Sequence, residues 1–223
     1  MRVDIIAELG INHNGDFNRA LMMITAAKAA GVRIVKFQHY NALELLGKDS
    51  PYLAYASKCQ FTKQQHEDLK QFCDNVGMEY LVSVFTIADI PWADSLCKRH
   101  KVASRMNQNK EFIGALIATG KEVIVSTQNV VPTIIPGVRY MYCITKYPTL
   151  PRDLEHAPCN KDLGLSSHCP DIQPTLGAIA QGANLVEHHV TLDRNDEGCD
   201  HSSSITFQEL QTLNRFANVL EIV

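Results

Sequence analysis

His168 and His189 are the residues whose type and spacing suggest chemistry most directly, because His168 closes the short strand-like run GLSSH and His189 sits in the next, LVEHHVT, 21 positions on. Imidazoles at the ends of adjacent parallel strands can ligate one divalent ion and leave positions open for substrate and water. A period of two along LVEHHVT groups Glu187 with His189 and turns His188 the other way, toward a helix layer. His189, not His188, is therefore the expected ligand. Glu8 stands in the apolar run IIAEL, where a carboxylate is costly to bury without a metal or cationic partner. In RIVKFQ, Lys36 alternates with Val35 and Phe37 and so points to the inner side, as an ammonium for an anionic substrate; the plainer alternative is a buried stem with its head at the rim. Lys101 at the start and Ser104 at the end of a fourth run join Ser83 and Ser126, near the ends of the third and fifth. Two lysines with strand-end hydroxyls suit a phosphate and a carboxylate. Asn12, His13 and Asn14 in GINHNG read equally well as a turn-forming loop.

Residues so placed need a scaffold that brings many strand ends together. Strands are predicted at 3–9, 33–38, 79–85, 101–105, 122–127, 138–144, 163–168 and 185–191, with helices at 16–31, 62–77, 87–100, 109–120, 171–183 and 206–222. Eight strands alternating with helices, and no Gly-rich phosphate loop after the first, favour a closed (β/α)8 TIM barrel over an open doubly wound sheet. The barrel is expected to be shortened: the connection 129–137 after strand 5 carries two prolines and leaves no room for a normal helix, so it is degenerate there. A long connection, 39–61, is placed to cover a site at the strand C-termini. All 223 residues are assigned to one catalytic domain.

A net charge of −3 with 20% charged residues gives no basic excess for nucleic acid or an anionic membrane surface. The start MRVDIIAELG is neither a signal peptide nor a spanning helix, so a cytoplasmic protein is expected. Seven scattered cysteines without a CxxC pair are expected to be reduced thiols.

GINHNG, VKFQ, KVAS, VIVST, YPT, GLSSH, LVEHHVT and EGCDH, in this order from Glu8 to His201, resemble the catalytic barrel of sialic acid synthases. The resemblance implies condensation of phosphoenolpyruvate with N-acetylmannosamine or a related acylamino aldose, release of phosphate, formation of a nonulosonic acid, and assistance by Mn2+ or Mg2+. It makes His168 and His189 metal ligands and places Glu8 near the metal and its water. It assigns Lys36, Lys101, Ser104, Ser126 and Ser166 to phosphoenolpyruvate, and Tyr147 and Asp200 to the sugar site. Small-molecule substrates are thus the expected partners, with a homo-oligomer left open and neither nucleic acid nor membrane implied. Departures from the family pattern are Val84 in place of a phosphate-binding hydroxyl, Arg105 in place of glycine, Ser167 in place of aspartate and Thr145 in place of an asparagine. The expectation is also of a chain without the C-terminal antifreeze-like domain, with Arg105 or the 39–61 connection supplying sugar contacts. Competing readings are another metal-dependent barrel aldolase or isomerase, or a catalytically degenerate sugar-binding subunit.

Overall fold

The computed structural model describes residues 3–128 and 135–221. Eight parallel strands, β1 (Asp4–Gly10), β2 (Ile34–Gln38), β3 (Glu79–Ser83), β4 (Arg99–Val102), β5 (Glu122–Thr127), β6 (Val138–Tyr142), β7 (Leu163–Ser167) and β8 (Leu185–Thr191), run in the order β3-β2-β1-β8-β7-β6-β5-β4. The two ends of this path, β3 and β4, pack side by side without a backbone ladder, so the barrel is nearly closed. A two-residue strand, β9 (Ile205–Thr206), pairs with β8 beyond the barrel. Every residue of β8 is buried, as for a strand covered on both faces.

Eight helices surround or cap the strands: α1 (Phe17–Ala29), α2 (Ala42–Leu46), α3 (Leu53–Cys59), α4 (Lys63–Val76), α5 (Ile90–Leu96), α6 (Lys110–Ile117), α7 (Gln173–Ala180) and α8 (Phe207–Glu221). Their ends follow local chemistry. Asp16 accepts from the Asn18 and Arg19 amides at the start of α1, and Thr62 with Gln65 forms a capping box on α4, which stops at Gly77 with φ 74°.

Three boundaries differ from the sequence expectation. The fourth strand is Arg99–Val102, so 97–100 is not helical, and Ser104 falls in a 3-10 turn, Ser104–Met106, beyond the strand end. Strands 3 and 6 stop at Ser83 and Tyr142. The 39–61 connection folds into α2 and α3, which close a small apolar cluster of their own around Tyr40 and Ala56. The degenerate connection expected at 129–137 lies outside the described residues for its first six positions, 129–134.

At the N-terminal face, Arg99 of β4 makes a bidentate pair with Glu79 of β3 at 2.7 and 2.9 Å and also reaches Asp4 at 3.0 Å and Glu122 at 3.2 Å. These side chains span the seam that the backbone leaves open. Between β2, β3 and α4, His13 stacks on Phe61 at 4.0 Å, and the Tyr80 hydroxyl and His66 Nδ1 share a hydrogen bond at 2.7 Å.

Burial is the main cause that pulls these two imidazoles down, His13 to about 4 and His66 to about 3. Below the ordinary value of 6.5 the unfolded chain takes up protons that the folded chain refuses, so stability should fall on acidification from 6.5 toward those values. The expected slope is about 1.4 kcal/mol per pH unit for each histidine. Urea midpoints measured between neutral and mildly acidic pH test this, and a flat profile would contradict it.

Candidate active site

Register alone gathers the site. Glu8 on β1 lies beside Lys36 on β2 and beside His189 on β8, while Ser166 on β7 lies beside Glu187 on β8. Lys36 Nζ is 2.6 Å from Glu8 Oε2 and 3.7 Å from Glu187 Oε2. Lys101 Nζ is 3.4 Å from Glu187 Oε1 and donates to Ser126 Oγ at 2.8 Å. Ser166 Oγ donates to Glu187 Oε1 at 2.9 Å, Lys36 Nζ to Ser83 Oγ at 3.4 Å, and Gln38 Nε2 to Glu8 Oε1 at 2.8 Å. These charges are buried, each residue exposing 4% or less of its surface.

The two lysines respond differently to one environment. Burial works against both charges, but Lys36 is flanked by Glu187 and Glu8 and ends above its ordinary value, whereas burial wins at Lys101, which has Glu187 on one side and the Lys36 charge repelling it. Burial works against the Glu187 carboxylate too, yet Lys101 and Lys36 outweigh it and hold the group down at about 2.

Above this tetrad sit the imidazoles, with the His168 and His189 ring centroids 5.2 Å apart. His168 Nδ1 donates to the Ile144 carbonyl at 2.8 Å, which fixes the tautomer and aims the Nε2 lone pair into the barrel mouth. Tyr147, stacked on His168 at 4.0 Å, donates its hydroxyl to that lone pair at 2.8 Å. Burial, then the neighbouring His189, lowers His168 to about 3, so it is neutral at ordinary pH, as a metal ligand must be. His189 Nδ1 is buried without a hydrogen-bond partner, 3.6 Å from Asp200 Oδ2. His188 turns the other way; burial, then the neighbouring His189, lowers it to about 3, and neither of its ring nitrogens has a hydrogen-bond partner.

No group of three or more His, Cys, Asp or Glu side chains among the described residues is arranged to hold a metal. Two imidazoles, one with an orphaned buried nitrogen, nevertheless fit an ion that takes its remaining ligands from substrate and water. Gly10, at φ 49°, keeps the floor open: a Cβ there would stand 3.1 Å from Glu8 Oε1 and 3.6 Å from Asp200 Oδ2.

The expected residues therefore converge, with Ser104 displaced outward to line the mouth beside Tyr147 and Asp200. Lys36 is not a free ammonium at the rim but is held by two carboxylates. Among the departures, Val84 is buried in the apolar core and Ser167 accepts from the Cys169 amide. Asn12 bonds the Val190 carbonyl and the Ser204 hydroxyl, which ties the turn after β1 to the chain beyond it. All seven cysteines are free thiols. Glu187 and Gln38 were not selected as site residues. The period-two pattern had already turned Glu187 inward with His189, and an inward-facing carboxylate was the signal.

Cavities of about 430 Å³ against α7 and about 540 Å³ on the N-terminal face lie away from the strand C-termini. One of about 460 Å³ opens over them. No helix among the described residues is long and apolar enough to cross a membrane.

Parallel strands wound into a (β/α)8 barrel, with charged and imidazole side chains gathered at their C-terminal ends, define a protein built on the plan of barrel enzymes. The chain belongs to the NeuB family, whose model matches residues 23–132 and 136–222. It is 27% identical to the N,N'-diacetyllegionaminic acid synthase of Campylobacter jejuni, over 94% of this chain and 73% of that protein. It is 26% identical to the human N-acetylneuraminate-9-phosphate synthase, over 97% and 70%. The N-acetylneuraminic acid (sialic acid) synthetase from Leptospira borgpetersenii, solved in complex with citrate, superposes with a TM-score of 0.88 at 27% identity, covering 99% of this chain and 85% of that one. These similarities agree with the family read from the motifs.

Proposed function

We propose that this chain condenses phosphoenolpyruvate with an aldose of the N-acetylmannosamine type to give a nonulosonic acid and phosphate, using a divalent metal at His168 and His189. The observation that carries the reading is the buried tetrad of Glu8, Lys36, Lys101 and Glu187 beside the paired imidazoles of His168 and His189, in a NeuB family chain. Two ammonium groups face two carboxylates, with Asp200 a third at the rim, so the side chains alone carry no surplus of positive charge for a multiply charged substrate. A divalent ion supplies that charge when bound and polarises the aldehyde oxygen. An all-oxygen site suits Mg2+ better than one containing imidazole, which favours Mn2+ between the two.

The chain's own part is orientation and proton handling. Lys36 and Lys101 exchange a share of their carboxylate contacts for the phosphate and carboxylate of phosphoenolpyruvate, with Ser126 and Ser166 as neutral partners. Tyr147 moves its hydroxyl from His168 to the sugar. C3 of phosphoenolpyruvate attacks the aldehyde carbon, Glu8 accepts the proton of the water that adds at C2, and that proton is returned to the former aldehyde oxygen, which becomes a hydroxyl. Loss of phosphate from the tetrahedral carbon leaves the 2-keto acid.

Phosphate release measured over a panel of acylamino and simple aldoses, after chelation and with Mn2+ or Mg2+ restored, tests the proposal. Release is expected to require phosphoenolpyruvate, an acylamino aldose and metal together. Metal-dependent turnover of a sugar without phosphoenolpyruvate would instead support an aldolase or isomerase.

A further inference from the structure

The helices α2 and α3 pack into a satellite cluster separate from the main core, with Tyr40, Ala42 and Ala56 as its buried residues. Helices of five and seven residues do not hold by themselves, so the unit depends on where it lands on the barrel. It lands at two glycines. A Cβ on Gly15, at φ 78°, would collide with the Lys58 carbonyl, and one on Gly198, at φ 146°, would collide with the Tyr55 hydroxyl. The loops after β1 and β8 are thus hollowed where α3 meets them.

Between these two notches Tyr55 donates its hydroxyl to Asn14 Oδ1 at 2.7 Å. The same oxygen lies 2.9 Å from His201 Nε2; an amide oxygen only accepts, so Nε2 carries the proton, and Nδ1 lies 2.7 Å from the Thr191 hydroxyl. Asn14 is the one described residue other than glycine with a positive φ, 54°, a sparsely populated conformation kept where its amide meets both partners. His201 follows Asp200, whose carbonyl accepts from Ser204 Oγ at 2.6 Å. The His201 ring is fixed on one side and the Asp200 carbonyl on the other, which leaves the Asp200 side chain a narrow range of placements in the mouth cavity that Tyr55 and Ala56 also line. Lys36 and Lys101, by contrast, have their charged partners on the strands and none on α3.

We propose that Tyr55 and Asn14 are positioning residues: with α3 docked they hold His201, and through it set Asp200 toward the aldose, so that productive aldose binding requires α3 in its seat. The inference rests on the proposed condensation, in which Asp200 contacts the sugar. Phosphoenolpyruvate, held by the lysines below, is bound whether α3 is seated or not.

Asn14→Gly keeps the backbone conformation and removes the shared oxygen, while Tyr55→Phe removes only a hydroxyl, so both variants are expected to fold. Phosphate release, with N-acetylmannosamine and phosphoenolpyruvate varied separately, should show the aldose KM raised about threefold to tenfold in each variant, with kcat and the phosphoenolpyruvate KM unchanged. The double variant should be no worse than Asn14→Gly alone, because Tyr55 acts through Asn14. Docking is read without turnover at Cys59, which ends α3 and exposes 1% of its surface. In Asn14→Gly its alkylation by iodoacetamide, followed by mass spectrometry, should speed by a similar factor, while Cys73 and Cys97 of the main core stay protected. Parent-like protection of Cys59 in that variant overturns the docking role and leaves the condensation standing. An unchanged aldose KM, additive effects in the double variant, or an equal rise in both Michaelis constants overturns the positioning of Asp200. A parent protein that releases no phosphate with any aldose overturns the condensation and the purpose given to Asp200, while Cys59 alkylation still decides whether α3 is held by Asn14.

Discussion

Glu187→Ala is expected to cost about 3–5 kcal/mol of folding stability and to abolish phosphate release. Glu187 exposes 4% of its surface and holds Lys101 at 3.4 Å, Lys36 at 3.7 Å and the Ser166 hydroxyl at 2.9 Å. Without it Lys36 keeps Glu8, but Lys101 is left with the Ser126 hydroxyl and the Val102 carbonyl, neither of them charged. Burial already lowers the Lys101 pKa, so the orphaned ammonium should lose its proton instead of staying charged, and with it a handle on an anionic substrate. The carboxyl of Glu187 is held at about 2 against an ordinary 4.5. Its contribution should therefore be complete above the ordinary value and disappear as pH falls from there toward 2, and in the variant that acid-side loss should be missing. Urea denaturation at neutral pH measures the loss directly. A change below about 1 kcal/mol, the range of an exposed pair, would mean that the tetrad is solvated and not buried.

The three histidines of β8 and the end of β7 should separate cleanly. His168→Ala and His189→Ala are each expected to weaken Mn2+ binding by at least about 100-fold and to end turnover. His188→Ala should leave Mn2+ affinity in place and lower the thermal transition, because its ring faces α8 and fills space there while its nitrogens contribute no hydrogen bond. Calorimetric titration of the three variants decides, and equal affinity in all three would remove the metal from His168 and His189. Tyr147→Phe adds a control: it frees the His168 Nε2 lone pair, so metal affinity should be kept or rise while the sugar KM increases.

Inward-pointing residues were the legible part of this site, because alternation along a parallel strand is set by backbone geometry and needs no knowledge of partners. Lys36 and His189 were found that way, and His188 was set aside by the same rule, while Glu8 stood out as a carboxylate in an apolar run and His168 as an imidazole at a strand end. Tyr147 and Asp200 follow irregular chain, where no period exists, and only the resemblance of YPT and EGCDH to a known family reached them. Ser104 was misplaced by a strand boundary: KVAS reads as one β run, but the barrel needs its strand two residues earlier, where Arg99 can meet Glu79. What each lysine would hold was not legible either. Pairing depends on which strands become neighbours, so the sequence could assign Lys36 to a substrate anion but not to Glu8. The helices α2 and α3 were missed for a related reason. Each is seven residues or fewer, too short for a helical period to register, and they are fixed by the satellite cluster they close.

The seam between β3 and β4 gives the barrel a preferred line of breathing. Seven of the contacts around the ring are backbone ladders, which resist salt, while the eighth depends on guanidinium and carboxylate groups at its lower edge. Ionic strength therefore acts on one line of this molecule more than on any other. Transient openings should start at this line and run upward toward Ser83 and Lys101, which flank it, so that the same weak joint that lets the ring relax also lies beside the buried lysines.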